Sequence, residues 1–257
     1  INGNNHVIDA KDNARIFTVT GKNITLKNIV FKNSNSMALN LTRSEVTTTN
    51  VTFMNCGDIN KQGGAVYVYE SLYESNNDTF IENYAKYGSA IYSSKSNATI
   101  VNDKFKNSKN IYWSLIYAFD SNLKVADTVF ANVTSKYAAA IYAEYTATNI
   151  RNSKFINLNA TTTAGAIGLK IAPSSIEDCE FHNVSSTKNG GAIFADVDNY
   201  DAAVLVNNTL FENCSSNFGG AYLQLGGKLN IVKSNFTNNA AEYIGGAVYT
   251  SNATVLI

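Results

Sequence analysis

The chain has 257 residues, 20 Lys+Arg against 20 Asp+Glu, 45% hydrophobic residues and one proline. Balanced charge with no cluster of Lys and Arg leaves no electrostatic case for nucleic acid or an anionic membrane surface as partner. There is no apolar run of about 18 residues and no charged-then-apolar leader, so this segment contains neither a membrane span nor a secretion signal.

The first apolar-alternating stretch, HVIDAKDNARIFTV (6–19), reads as a partial coil. A Phe-x-Asn pair then recurs, with first members Phe31, Phe53, Ile81, Phe105, Phe130, Phe155, Phe181, Phe211 and Phe236. The second members are Asn33, Asn55, Asn83, Asn107, Asn132, Asn157, Asn183, Asn213 and Asn238, and the steps between anchors are 22, 28, 24, 25, 25, 26, 30 and 25 residues. A period of this size marks stacked repeats and should be read before any local pattern. Within each period, apolar residues alternate over short runs such as ATIVNDKF (98–105) and AVLVNNTLF (203–211), separated by Asn, Ser, Thr and Gly, and no helical spacing appears. Three short strands and three turns per period predict an all-β fold: one domain over 1–257, a right-handed single-stranded parallel β-helix of about ten coils.

The columns of this stack are expected to divide into inside and outside. Five residues before each anchor stand Leu26, Thr48, Asn76, Ile100, Val125, Ile150, Ile176, Val206 and Ile231, a mostly aliphatic inward column. The next strand supplies Leu39, Val66, Ile91, Ile116, Ile141, Ile167, Ile193, Tyr222 and Val248, preceded by small residues such as Gly64, Ser89, Gly191 and Gly220. The Asn column is expected to be internal, each amide bonding to its copy one coil away. Sequons at Asn132 and Asn183 would then point inward, whereas Asn40, Asn97, Asn159, Asn235 and Asn252 offer further Asn-x-Ser/Thr sites. Cys56 and Cys214 share a column but lie roughly 29 Å apart at 4.8 Å per coil, and Cys179 falls in another column, so three free buried thiols are expected.

The repeats resemble two families of surface proteins. Phe-x-x-Asn, present literally at Phe80–Asn83 and Phe236–Asn239, together with Gly-Gly-Ala segments, resembles the polymorphic outer-membrane protein repeats of chlamydiae. The opening INGNNHVIDAKDNARIFTVTGKNITLKNIVFKN (1–33) is similar to the start of the β-helix in large adhesin-like surface proteins of methanogenic archaea. The resemblance implies an extracellular, cell-surface location and an adhesin-like role in cell adhesion. Both ends fall inside strand patterns, and the expectation is a segment excised from a longer surface protein, whose signals and anchor lie elsewhere.

An enzyme on this scaffold needs carboxylates gathered across a groove. His6 and His182 are far apart, the arginines are Arg15, Arg43 and Arg151, and no column gathers carboxylates on neighbouring coils. Catalysis is therefore not expected, with polysaccharide lyase or hydrolase kept as a last alternative. DVDNYD (196–201) places Asp196, Asp198 and Asp201 on one loop, a candidate Ca²⁺ site weighed against a solvated turn, and no other cofactor is implied.

Aromatic residues give the stronger lead. Tyr67, Tyr92, Tyr117 and Tyr142 follow the inward Ile/Val column one per coil, with Tyr69, Trp113 and Phe119 beside them. Alternation turns this stripe outward. Cross-coil stacking alone accounts for such a stripe, and so does a carbohydrate-binding or protein-binding platform. The function expected is attachment, by binding glycan or protein on another cell, with a structural stalk or a self-associating rod as the rival.

Overall fold

The computed structural model describes residues 1–108, 111–197 and 202–256. Ten four-residue strands, from Phe17–Thr20 and Leu39–Thr42 to Val248–Ser251, pair in parallel as one sheet, hereafter the short-strand face. The rest of each coil builds a twenty-stranded parallel sheet and a small pair, Gly57–Gln62 with Tyr84–Tyr87. No helix occurs among the described residues, and the chain is the expected parallel β-solenoid of about ten coils.

The backbone turns its corners with single left-handed residues. Three residues before and two after each core Phe, φ is positive, as at Asn152 (46°) and Asn157 (55°) around Phe155. Asn tolerates this region better than other residues with a Cβ, because its short amide bonds locally. The six-residue phrase that results is written NVTFMN (50–55), NSKFIN (152–157) and NTLFEN (208–213). Between the corners the Phe side chains point inward and stack from Phe31 to Phe236, with neighbouring centroids 4.5 to 5.5 Å apart. Phe31 to Phe211 are fully buried, so this column is the spine of the core.

Two expectations are corrected here. The Asn ladder exists, with Asn55 donating to Asn33 at 3.0 Å and Asn183 to Asn157 at 3.1 Å, but it runs along an outer corner. Asn55, Asn132, Asn157, Asn183 and Asn213 are exposed, so the sequons at Asn132 and Asn183 face outward. The in-out alternation of a strand does not carry through a left-handed residue, which is why column counting misplaced them. A second outer ladder occupies the other corner, where Asn50 donates to Asn28 at 2.8 Å and Asn208 to Asp178 at 2.7 Å.

The third anchor is Phe80, not Ile81, because Phe53 and Phe105 both align with Phe80. Glu82 (φ 53°) takes the corner and Asn83 moves inside, accepting from Cys56 N–H at 3.0 Å and donating to Phe53 O at 3.0 Å. Asn239 repeats this pair of bonds with Cys214 and Phe211, so the two literal Phe-x-x-Asn sites are the ones whose Asn points inward. The same one-residue slip had hidden a carboxylate column. Asp78 and Asp103 stand on adjacent coils, both 1% exposed, and Asp103 Oδ1 accepts Asp78 N–H at 2.7 Å. Ser75, not Asn76, is the inward neighbour of Thr48, and with Tyr73 these residues form a buried polar network inside the otherwise apolar stack.

Cys56, Cys179 and Cys214 are free and buried, and burial pushes their thiols up to about 11, 12 and 12.

Candidate functional site

The outward residues of the short-strand face build an aromatic wall. Tyr67, Tyr92, Tyr117 and Tyr142 align one per coil, and their rings stack at 5.4, 5.7 and 5.3 Å. A second aromatic row approaches from the preceding corner. Tyr87 and Tyr137 flank Trp113, at centroid distances of 5.7 and 4.5 Å, and Trp113 meets Tyr142 edge-on at 4.7 Å. The two rows form an angle whose inner rings cover one another. Tyr92 and Tyr117 are consequently 8% and 7% exposed, whereas Tyr67, Tyr87, Trp113, Tyr137 and Tyr142 are half-buried.

Trp113 stands where other coils place a left-handed corner residue, Gly88 (φ 60°) before it and Ala138 (φ 37°) after it. That replacement seats its ring between the two tyrosines. The indole Nε1 is buried and has no hydrogen-bond acceptor among the described residues. Tyr69 and Phe119 lie at the far end of their strands, half-buried, and Phe119 packs edge-on against Tyr145 at 5.8 Å.

Polar groups anchor one end of the wall. Tyr117 donates its hydroxyl to Glu144 Oε2 at 3.0 Å, and Lys170 bonds Glu144 Oε1 at 2.7 Å. Burial first, then the Glu144 carboxylate, keeps the Tyr117 phenol protonated, and the bond to Glu144 holds Lys170 charged. The other end is a groove. Met37, Asn60, Lys61, Gln62, Tyr67, Lys86 and Tyr87 line a concavity of about 330 Å³, with the Lys86 ammonium 5.4 Å from the centre of the Tyr87 ring. This notch combines aromatic rings, side-chain amides and two ammonium groups.

All seven aromatic residues singled out in the sequence lie on or beside this wall, but Tyr92 and Tyr117 are packing members more than contact surface. Column counting missed Tyr87, Tyr137 and Tyr112, the last of which meets Trp113 edge-on at 6.3 Å, although each stands four residues before an inward Ile of the short-strand face: Ile91, Ile141 and Ile116 respectively. That register was a readable signal. Of the candidate Ca²⁺ ligands, Asp196 ends the strand Ile193–Asp196 beside Lys170, while Asp198 and Asp201 lie outside the described residues. No group of three metal-ligating side chains occurs among the described residues.

A family model, the Chlamydia polymorphic membrane protein repeat, matches residues 233–251, the coil that contains Phe236, Asn239 and Gly245-Gly246-Ala247. No curated protein matches the chain. Among solved structures, the catalytic domain of Agl-KA is similar at 11% identity and a TM-score of 0.34, over 97% of this chain and 61% of that one.

Proposed function

We propose that the chain is the binding rod of an extracellular, cell-surface adhesin-like protein, and that it attaches to glycan on another cell through the aromatic wall without catalysis. The surface setting is supported by the polymorphic membrane protein repeat at 233–251. The observation that carries the reading is the notch at Tyr67 and Tyr87, where half-exposed rings stand beside Asn60, Gln62, Lys61 and Lys86. Sugar rings present an apolar face to an aromatic side chain and hydroxyls to amides and ammonium groups, and this notch offers both in one concavity.

A second reading has its own support. The mutual packing of Tyr92, Tyr117 and Trp113 satisfies the wall internally, as a stalk would need. A glycan-array screen of the parent beside a Tyr67→Ala/Tyr87→Ala variant separates the two. Hits that the variant loses, with its thermal midpoint nearly unchanged, are the expected result, because both rings are half-buried at the surface. An empty array for both proteins defeats the glycan reading and favours the stalk. Tyr92→Ala is the wrong probe, since removing a buried ring costs about 3 kcal/mol or more.

A further inference from the structure

The other edge of the short-strand face carries a longer concavity whose lining includes none of the aromatic-wall residues. After each short strand the chain turns through one left-handed residue: Arg43, Glu70, Lys95, Asp120, Tyr145 and Ile171 on successive coils, with φ between 47° and 59°. The next residue is Ser44, Ser71, Ser96, Ser121 or Thr146. The hydroxyl of each from Ser71 onward accepts the backbone N–H of its counterpart one coil earlier, at 3.0 to 3.2 Å. The following strand then rises as a second wall. Between the walls lies an open groove of about 1220 Å³, running parallel to the solenoid axis over six coils, roughly 24 Å at the inter-strand spacing.

We infer that this groove is a second binding site, and that its ligand is a straight, uncharged polysaccharide chain lying along the rod axis. Three features choose that class. The first wall alternates in sign, Arg43, Glu70, Lys95 and Asp120, and none of these four forms an ion pair among the described residues. Such a row bonds hydroxyls, which both donate and accept, while Glu70 and Asp120 oppose a polyanion. On the second wall, Asn122 donates to Asn97 at 2.8 Å, which leaves amide groups of the pair free to face the groove. Tyr145, 45% exposed, offers a ring at the far end for a sugar face.

An extended peptide is disfavoured by the backbone. Peptides add to a sheet through unpaired edge groups. Here the N–H groups of both walls are already spent on neighbouring coils: Arg43 N–H on Tyr69 O at 3.1 Å, Lys95 N–H on Phe119 O at 3.1 Å, and Asn97 N–H on Ser71 O at 3.0 Å. Recognition falls to side chains, which suits a hydroxyl-rich polymer.

Titration calorimetry with neutral β-1,4-linked oligosaccharides of increasing length, disaccharide to octasaccharide, tests this. Affinity is expected to rise with length and level off once the groove is filled. Tyr145→Asn, which suits the left-handed backbone there (φ 51°), and Asn97→Ala/Asn122→Ala are each expected to weaken the longest ligand about tenfold, the scale of one or two hydrogen bonds or a stacked ring. In a Tyr67→Ala/Tyr87→Ala background, which removes the notch of the aromatic wall, the length dependence and both groove-variant losses should persist, so failure of the groove and failure of the wall are read separately. Affinity that does not depend on length, tighter binding of a polyuronate, or equal binding by both groove variants would overturn the inference.

Discussion

At the scale of single residues, the least expected feature is a pair of carboxyl groups sealed in the core. Four oxygen–oxygen contacts join the network: Thr48 with Tyr73 and with Asp78, and Ser75 with Asp78 and with Asp103. Each contact needs one hydrogen, and the three hydroxyls supply three. The fourth must be a carboxyl proton, which Asp103 Oδ2 is placed to donate to Ser75. Burial pushes Asp78 up to about 6, and burial together with the Asp78 charge pushes Asp103 well above the carboxylate range. The titratable groups facing the pair are each other and Tyr73. Because folding raises these pKa values, the native state holds the extra proton. The pair's contribution to stability is therefore fullest below about pH 4 and is lost as pH rises through 6, on the order of 3 kcal/mol for Asp78 alone. Asp103→Asn keeps both bonds, since its amide oxygen accepts Asp78 N–H and its amide nitrogen donates to Ser75. Thermal unfolding from pH 4 to 8 should find this variant level with the parent at pH 4 and more stable at pH 8. A parallel pair of curves would show that Asp103 is ionised in the fold.

At the scale of the element, the coil rests on a Phe between two left-handed corners, and the Phe and the corners should fail differently. Phe155 is fully buried between Phe130 and Phe181, at 5.0 and 4.5 Å, so Phe155→Ala should cost about 3–5 kcal/mol. Asn157 sits outside at φ 55°, where its main contribution is conformational. Asn157→Gly should then be nearly neutral and Asn157→Val should cost about 1–2 kcal/mol, as chemical denaturation can measure. If glycine costs as much as valine, the amide ladder outweighs the corner. This division also explains what the sequence disclosed. Period and strand order were legible because Phe and Asn repeat in register. Whether Asn faced in or out was not, because inside-outside counting fails across a left-handed residue. The slip at Ile81 had a similar cause: Asn83 satisfies Phe-x-Asn one residue late, although Glu82 holds the corner. That single residue put Asn76 in the place of Ser75 and concealed the Asp78–Asp103 column. Thr48 and Asn76 were the two non-aliphatic members of their column, and they mark the coils that carry the polar network. The stacked tyrosines of the wall were legible by register, but the row that covers them crosses a corner, so its contact with Tyr117 and Tyr142 needed three dimensions.

At the scale of the molecule, the rod is a one-dimensional stack in which each coil touches only its neighbours, so stability is a chain of coil terms and interface terms. The two halves make that interface differently. On the coils of Tyr92, Tyr117 and Tyr142 the column before the short strands holds side chains at Ser89, Ser114 and Ala139, although the Tyr67 coil has Gly64 there. In the other half the column holds Gly165, Gly191 and Gly220, where an added Cβ would lie 1.9, 1.8 and 2.0 Å from the next coil's carbonyl oxygen. A backbone oxygen cannot swing aside as a side chain can. Gly191→Ala must therefore push apart the adjacent coils that otherwise bond through Gly191 N–H to Gly219 O at 3.1 Å. The damage should stay local. Coupling passes only from coil to coil, so opening is expected to start at this interface and spread toward residue 256. Hydrogen exchange of the variant should show faster exchange by tenfold or more for strands Tyr222–Leu225 and Lys228–Val232, a loss of about 1.4 kcal/mol of local protection. Strands Ile91–Ser94 and Ile116–Phe119, beneath the wall, should keep their parent rates. Faster exchange of equal size in both sets would mean that the rod unfolds as one cooperative unit, and that the aromatic wall is held by the whole stack instead of by its own coils.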